Sequence, residues 1–348
     1  MSAMQVLAEL FAGRRDPAGL IPRDWDGVIG VARAEAMLAT LAHRLADAVL
    51  PGPVASLLAD QRRAAAVATK QALWEAEMAR RALAPERIEF VLLKGTAYAA
   101  AGLSCAAGRQ IGDLDILVGW QDLARAENAL LKAGWEWVKS DPYDDAYYRE
   151  HMHELPPLIH GGRDRMIDVH HTILPRTHRK TPDPLAMLAD AVPTAEGFAV
   201  LCPTDMVCHC AAHLLADGDL QGGLRNLWDY HRLVSDFAAA DPGFWGKLDG
   251  RADQHGLRSE VRRAARLARD LYGTALPSGW DSHDTTDGWF RRRLLARDDW
   301  GRPSDFLLQQ AFYIRSHWLR MPPAMLARHL WTKWRKGHNP ASSGTSSA

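Results

Sequence analysis

The sequence has no excess of charge of either sign, since its 348 residues include 42 Lys and Arg and 42 Asp and Glu. A dedicated nucleic-acid-binding protein normally carries a basic excess, so this balance speaks against that class. Anionic substrates would have to meet local cations instead. Hydrophobic residues make up 47% and charged residues 24% of the chain, which is ordinary for a soluble globular protein.

The chain also lacks any run of 18 consecutive apolar residues, the minimum typical of a transmembrane helix. Its N-terminus does not show the basic, then apolar, then small-residue order of a secretory signal peptide. We therefore expect a cytoplasmic protein. The length is sufficient for two structural units with an ample core.

Cysteine is scarce, and none of the four cysteines belongs to the C-x-x-C pair that a zinc knuckle requires. Cys208 and Cys210 would point in different directions on a helix, so we interpret them as small buried hydrophobes. His209 and His213 share a helix face, but no acidic metal motif accompanies them. We expect these two histidines to pack or to hydrogen-bond at a domain interface.

The most informative segment that is present is 112–118, with the sequence GDLDILV. Asp113 and Asp115 lead directly into an apolar run that is typical of a buried β-strand. Because alternate side chains on a strand share a face, the two carboxylates lie roughly 6–7 Å apart along it. Like charges this close repel unless a cation lies between them, and carboxylate oxygens suit Mg²⁺. The alternative is a strand end with two solvated acids.

A second acidic strand is predicted over 166–170, where Asp168 and His170 share one face. A turn at Gly161 and Gly162 would make it the second arm of a hairpin with residues 155–160. Phosphoryl or nucleotidyl transfer would need a third carboxylate of this kind, either as a ligand of a second metal or as acceptor of the proton from the attacking hydroxyl. His170 could hydrogen-bond to the Asp168 carboxylate and orient it.

Candidate phosphate-binding residues follow the strand that is predicted over 87–93. Gly95 lets the backbone turn sharply and approach a ligand, Thr96 can cap the next helix, and Lys94 adds a positive charge. Arg109, four residues before the first aspartate, could hold a phosphate with both arms of its guanidinium. For Lys94 and Arg109 the alternative is an ordinary surface cation.

Taken together, these segments resemble the DNA polymerase β-type nucleotidyltransferase superfamily, and more narrowly a bacterial branch of uncharacterised nucleotidyltransferase-like proteins. The resemblance covers about residues 30–275 and continues in the helical pattern around His213 and Arg225. It implies an α+β fold, in which a small mixed β-sheet forms the nucleotidyltransferase core and N- and C-terminal helical regions flank it. The expected units are an N-terminal helical region 1–85, the core 86–175, a C-terminal helical domain 176–338 and a disordered tail 339–348.

The resemblance implies a metal-dependent transfer of an NMP from an NTP to a hydroxyl or phosphate, with release of pyrophosphate. Asp113 and Asp115 would bind two Mg²⁺ ions, which Mn²⁺ could replace, and Asp168 would bind the catalytic ion and activate the acceptor. The acceptor is an unidentified small molecule or peptide. The implied triphosphate contacts are Lys94, Gly95, Thr96 and Arg109, and the implied supporting or acceptor-facing residues are His170, His213 and Arg225.

Two other classes of protein remain open at this point. One is a catalytically silent protein that keeps the fold and binds the nucleotide without turnover. The other is a partner of the same fold that tailors a peptide or a protein.

An aromatic and imidazole cluster lies between the two acidic segments. An acceptor substrate would enter here, so these rings could stack on a base or recognise the acceptor. A surface loop with amphipathic side chains is the equally favoured alternative. The members are Tyr143, Tyr147, Tyr148, His151 and His153.

Residues 315–336 contain six Lys or Arg and no acid, interleaved with tryptophans. Prolines interrupt this stretch, so only 324–336 is predicted as a continuous helix. A basic, Trp-bearing helix could make weak contact with an anionic membrane surface or with nucleic acid. We favour the alternative that the Trp side chains pack on the protein body while the cations stay solvated.

Overall fold

The structure of the protein is a computed structural model that describes residues 1–138, 148–282 and 284–321. Its N-terminal region is helical, and Ser2 caps the first helix by accepting a hydrogen bond from the Gln5 amide. The four helices are α1 (Ala3–Phe11), α2 (Pro22–Ala34), α3 (Leu38–Arg44) and α4 (Gly52–Leu83). Three predictions lie outside the described residues: Tyr143 and Tyr147, the basic helix 324–336 and the tail 339–348.

A seven-stranded mixed sheet follows the first four helices. Its spatial order is β3-β4-β5-β2-β1-β7-β6, which places the two acidic strands side by side in the interior of the sheet. The strands are β1 (Val91–Leu92), β2 (Asp113–Leu117), β3 (Trp135–Trp137), β4 (Leu158–His160), β5 (Arg165–His170), β6 (Val192–Pro193) and β7 (Ala199–Val200). Helices α5 (Lys94–Ala100) and α6 (Leu123–Lys132) connect its first three strands.

The register between β2 and β5 sets the relative positions of the acidic residues. The two strands are parallel, and Asp115 is paired directly with Asp168. Residues at paired positions project to the same face of a sheet, so these two carboxylates lie side by side. Strands β4 and β5 are antiparallel, which confirms the hairpin predicted from Gly161 and Gly162.

Two strands of the sheet come from beyond residue 175, where the sequence predicts a connection followed by helices. Strand β7 pairs in parallel with β1, and β6 pairs with β7. The sheet therefore does not end with the predicted core 86–175. These strands contain two residues each, which is too short for an alternating hydrophobic pattern to show in the sequence.

The remainder of the described chain is mainly helical. It comprises α7 (Pro184–Ala189), α8 (Pro203–Ala212), a π-helical turn at His213–Asp217, α9 (Gly223–Ala240), α10 (Phe244–Gln254), α11 (Arg258–Tyr272), α12 (Asp287–Leu294) and α13 (Phe306–Arg320). The sheet and its flanking helices confirm the predicted α+β class.

One continuous apolar core joins the two helical regions to each other and to the sheet. Phe11 of α1 packs against Trp228 of α9 with ring centroids 4.7 Å apart, so the N- and C-terminal regions are in direct contact. In the described ranges, no helix combines the length and the apolar character needed to cross a lipid bilayer. The acidic strands are thus held in a sheet that is packed from both ends of the chain.

Candidate active site

Three carboxylates converge where β2 and β5 lie next to each other. Asp113, Asp115 and Asp168 each offer one oxygen, and these three oxygens lie within 4.8 Å of one another. Asp113 is exposed, Asp168 is half-buried and Asp115 is only 3% exposed. Hard oxygen donors of this number and spacing suit a divalent cation such as Mg²⁺. The structure thus brings together the three aspartates that the sequence groups as catalytic.

Lys94 forms an ion pair with Asp115 of this cluster. Its Nζ donates to Oδ1 of Asp115 at 2.7 Å, and its side chain is largely buried. Burial opposes the charge of Lys94, but the Asp115 carboxylate outweighs it and raises the pKa of the lysine. Lys94 is therefore a charged member of the site and not an ordinary surface cation.

His170 also binds Asp115, which differs from the prediction that it would orient Asp168. Its Nε2 donates to Oδ1 of Asp115 at 3.0 Å. Asp115 is paired with Asp168, and Leu117 with His170, so the imidazole reaches Asp115 diagonally across the two neighbouring strands, a separation that long side chains can span. Burial disfavours the charge of Asp115, yet Lys94 and His170 hold the pKa of this carboxyl below its ordinary value.

Glu154 adds a fourth carboxylate that the sequence does not reveal. Its Oε2 lies 3.4 Å from Nε2 of His170. Burial, and after it the charge of Asp168, raises the pKa of Glu154 to about 8. Burial, followed by the charges of Asp115 and Asp113, likewise raises the pKa of Asp168 to about 7. The site therefore holds more negative charge than Lys94 can balance.

His153 and Asp217 complete the surroundings of Glu154. Nε2 of His153 lies 3.6 Å from Oε2 of Glu154, and burial lowers the pKa of His153 to about 3. Asp217, at the end of the π-helical turn, interacts electrostatically with His153. The imidazole cluster in the sequence includes His153, but Glu154 joins the sheet through a single bridge to His170. A single bridge leaves no strand pattern that could have revealed it.

Gly95 and Arg109 are in contact, but not in the way that the sequence suggests. A side chain on Gly95 would overlap the guanidinium of Arg109, so the glycine leaves room for the arginine. Nε of Arg109 donates to Oδ2 of Asp229 at 2.9 Å. The guanidinium that was predicted to hold a phosphate thus has a carboxylate partner on α9.

Thr96 does not cap a helix, because α5 already begins at Lys94 and Leu93 is its N-cap residue. The helix thus begins earlier than the sequence predicts. Its first residue, Lys94, has a left-handed φ of 49°. Thr96 is only 1% exposed, and within the described residues its hydroxyl has no hydrogen-bond partner. The Thr96 hydroxyl oxygen is therefore a buried polar atom on α5, two residues after Lys94.

Arg225 and His213 have contacts outside the acidic cluster. Arg225 donates to Asp229 at 3.4 Å and also reaches Thr40 of α3. His213 starts the π-helical turn, is 39% exposed, and lies 3.8 Å from Asp217. Arg225 therefore connects α9 to α3, whereas His213 contacts a residue of its own turn. A role facing the acceptor stays a prediction for both.

Comparison with known protein families gives one match. A family model described as "Uncharacterised nucleotidyltransferase" matches residues 22–273, which is well over half of the 348 residues. That range contains all seven strands of the sheet and the three converging aspartates. No curated protein matches the chain. The chain therefore belongs to the uncharacterised nucleotidyltransferase family.

Proposed function

We propose that this protein is a Mg²⁺-dependent nucleotidyltransferase of the DNA polymerase β-type superfamily. It transfers an NMP from an NTP to a hydroxyl or phosphate of a small-molecule or peptide acceptor and releases pyrophosphate. The observation that supports this proposal most is the convergence of Asp113, Asp115 and Asp168 within 4.8 Å. The family match supports nucleotidyl transfer in general, and the chemistry of the site supports the narrower reaction.

The donor set fits the metal that this reaction uses. Asp113, Asp115 and Asp168 would hold Mg²⁺, because all three offer hard oxygen atoms and their negative charge exceeds the local positive charge. Two ions are expected, and Mn²⁺ should substitute for Mg²⁺. When bound, the ions would offset the negative charge that builds up on the attacking and leaving oxygens.

The side chains of the site divide the remaining tasks. Asp168 faces the same side as Asp115 and would accept the proton of the attacking acceptor hydroxyl. His170 orients Asp115 through its hydrogen bond. Lys94 carries the positive charge nearest to the cluster and would meet the triphosphate, next to the buried hydroxyl of Thr96. Each role uses an atom that already lies at the site.

Thermal melting with Mg²⁺ and each NTP tests the proposal. A ligand that binds only the folded protein raises its melting temperature, so we expect a rise that requires both the metal and the nucleotide. Asp113→Asn should abolish the rise, because it removes a metal ligand whose side chain is exposed. Asp253→Asn, at an exposed acid of α10, is the matched control and should retain it. A rise of full size in Asp113→Asn would contradict the proposed site.

Turnover separates the enzyme from the silent nucleotide-binding alternative. With an NTP labelled on its α-phosphate, the enzyme should release pyrophosphate and leave the label on an acceptor. Binding without pyrophosphate release, in the presence of extracts that contain small molecules and peptides, would favour the silent protein. Mass spectrometry of the labelled product would then identify the acceptor class.

A further inference from the structure

A second group of metal-binding side chains lies next to the three aspartates. His153, Glu154 and His170 each offer one ligand atom, and these atoms lie within 4.8 Å of one another. The group differs from the acidic cluster in chemistry, since two of its three donors are imidazoles. His170 connects the two groups through its hydrogen bond to Asp115.

The distances within this group match a tetrahedral metal centre. Zn²⁺ binds nitrogen and carboxylate oxygen at about 2.0–2.2 Å, so two ligand atoms of one tetrahedral ion are separated by roughly 3.4 Å. Oε2 of Glu154 lies 3.6 Å from Nε2 of His153 and 3.4 Å from Nε2 of His170. The glutamate oxygen is therefore already at ligand spacing from both imidazoles.

Burial and incomplete hydrogen bonding give independent support. His153 is 7% exposed and His170 is 1% exposed, so both side chains are more than nine-tenths buried. In the part of the chain that the structure describes, Nδ1 of each ring is buried and makes no hydrogen bond. These Nδ1 atoms are not the Nε2 atoms that lie at ligand spacing from Glu154, but neither Nδ1 has a protein partner among the described residues that would hold its ring from that side.

We infer that His153, Glu154 and His170 form a second metal site, which takes Zn²⁺ or a similar divalent transition metal and not Mg²⁺. Imidazole suits Zn²⁺, whereas Mg²⁺ prefers oxygen ligands. Three protein ligands leave one tetrahedral position, which water or Oδ1 of Asp115 can fill. For Nε2 of the neutral His170 ring to bind the metal, its proton moves to Nδ1, and the hydrogen bond to Asp115 is exchanged for the bond to the metal. The inference goes beyond the proposed function, because this site needs no nucleotide.

Cobalt spectroscopy of the full chain tests this inference. Co²⁺ is the probe because it replaces Zn²⁺ and absorbs far more strongly in a tetrahedral site than in an octahedral oxygen site. The protein is first stripped with a chelator, and Co²⁺ is then titrated in excess Mg²⁺, which occupies the acidic cluster. We expect an intense visible spectrum that saturates at about one Co²⁺ per chain. Zn²⁺ should displace the Co²⁺ and abolish the spectrum.

Variants then assign the spectrum to a site. Glu154→Gln and His153→Ala should each weaken Co²⁺ binding by at least about 10–100-fold. His171→Gln is the matched control, because Nε2 of His171 donates to the Met152 carbonyl instead of joining the cluster. Circular dichroism shows whether each variant is folded, and Glu154→Gln preserves the shape of the side chain.

Two results would overturn the inference. One is the absence of a tetrahedral Co²⁺ spectrum in the folded wild-type protein, which would make the group a hydrogen-bonded support for Asp115. The other is a spectrum that survives in both His153→Ala and Glu154→Gln but disappears in Asp113→Asn, since Co²⁺ would then occupy the acidic cluster. Asp113→Asn also distinguishes a failure of this inference from a failure of the proposed function. It should abolish the melting shift with Mg²⁺ and NTP but retain the tetrahedral Co²⁺ spectrum.

Discussion

Asp205 and Asp115 are both buried carboxylates. Their neighbours differ in how far they balance the negative charge. Asp205 of α8 is 0% exposed and receives hydrogen bonds from Arg251 at 2.6 Å and 2.5 Å and from His255 at 2.9 Å. The other nitrogen of His255 accepts the Asp183 amide. Every strong donor and acceptor around Asp205 is thus paired.

The acidic site on the sheet has the opposite balance. Asp115 shares its surroundings with Asp113, Asp168 and Glu154, and Lys94 is the lysine with which it forms an ion pair. Buried histidines beside it also leave one nitrogen without a hydrogen bond within the described ranges. Uncompensated acids and unused nitrogens lower stability, and such an arrangement is retained where a site needs them for a ligand. The comparison contrasts a carboxylate whose charge is paired with a group of carboxylates that we propose to be functional.

We expect the largest effect from Asp168→Asn, on the rate of the proposed reaction. Losing the group that accepts the acceptor proton should lower kcat of pyrophosphate release by about 10²–10⁴-fold. In metal-free buffer at pH 8, the free energy of unfolding should be unchanged or higher. The sign follows from the raised pKa of Asp168, about 7, because the folded state disfavours the charge that asparagine removes.

Asp164→Asn is the matched control, since Asp164 lies in the turn that precedes β5 and is not one of the converging acids. It should alter neither quantity. If Asp168→Asn lowers the free energy of unfolding as much as we expect for Asp205→Asn, the proposed difference in charge balance between the two regions is wrong.

The second effect is on stability, from Asp205→Asn. Removing Asp205 breaks a buried ion pair and leaves Arg251 with the exposed carboxylate of Asp190 as its ionic partner among the described residues. We expect a loss of about 3 kcal/mol in the free energy of unfolding, the lower end of the range for breaking a buried pair. Urea denaturation at pH 7 measures it. Asp253→Asn is the control on α10, and an exposed change of this kind should stay within about 0.5 kcal/mol. If Asp205→Asn changes the free energy of unfolding no more than Asp253→Asn does, the ion pair of Asp205 contributes little to stability.

A third prediction concerns the contact between α5, which begins at Lys94 of the acidic site, and Arg109, and it is tested with Gly95→Ala. The added methyl group would overlap the guanidinium of Arg109 and displace it from Asp229. We expect a loss of about 1–3 kcal/mol and a smaller melting shift with Mg²⁺ and NTP. In Gly112→Ala the new methyl meets nothing within 4 Å, so that variant should keep its stability. Equal stability of the two variants would disprove the close approach of Arg109.

The smallest effect is the pH dependence of the Asp205 contribution. Burial opposes its charge, but hydrogen bonds from Arg251 and His255 lower the pKa of Asp205 in the folded protein. A lowered pKa stabilises the fold above the unfolded value of about 3.9, and this stabilisation is lost as pH falls through the folded pKa. The difference between wild type and Asp205→Asn should therefore be constant from pH 7 to about pH 4 and shrink below it. Urea titrations at several pH values would measure this difference.

The convergence of the aspartates could be predicted from the sequence, for a physical reason. The alternation of apolar and acidic residues in 113–118 and 166–170 fixes which side chains share a face. Two such strands in one sheet then bring Asp115 and Asp168 together once they are neighbours. The α+β class could be predicted as well, because the motifs around the aspartates resemble a superfamily with that fold.

Features that depend on contacts between distant segments could not be predicted. Arg109 and Asp229 are 120 residues apart, and no local pattern distinguishes a guanidinium that binds phosphate from one that binds a carboxylate. Glu154 enters the site through one isolated bridge. The partner of His170 depends on which strand lies beside β5, and that choice is made by the whole fold.

The parallel pair of β1 and β7 has a consequence for how the chain folds during synthesis. On a ribosome, β1 emerges long before Ala199 and Val200, so one side of β1 stays open while more than a hundred residues are added. An open strand edge is a template for pairing with other chains. The nascent chain therefore cannot complete this side of the sheet until residue 200 is available, and a truncated chain that ends earlier would leave β1 without this partner.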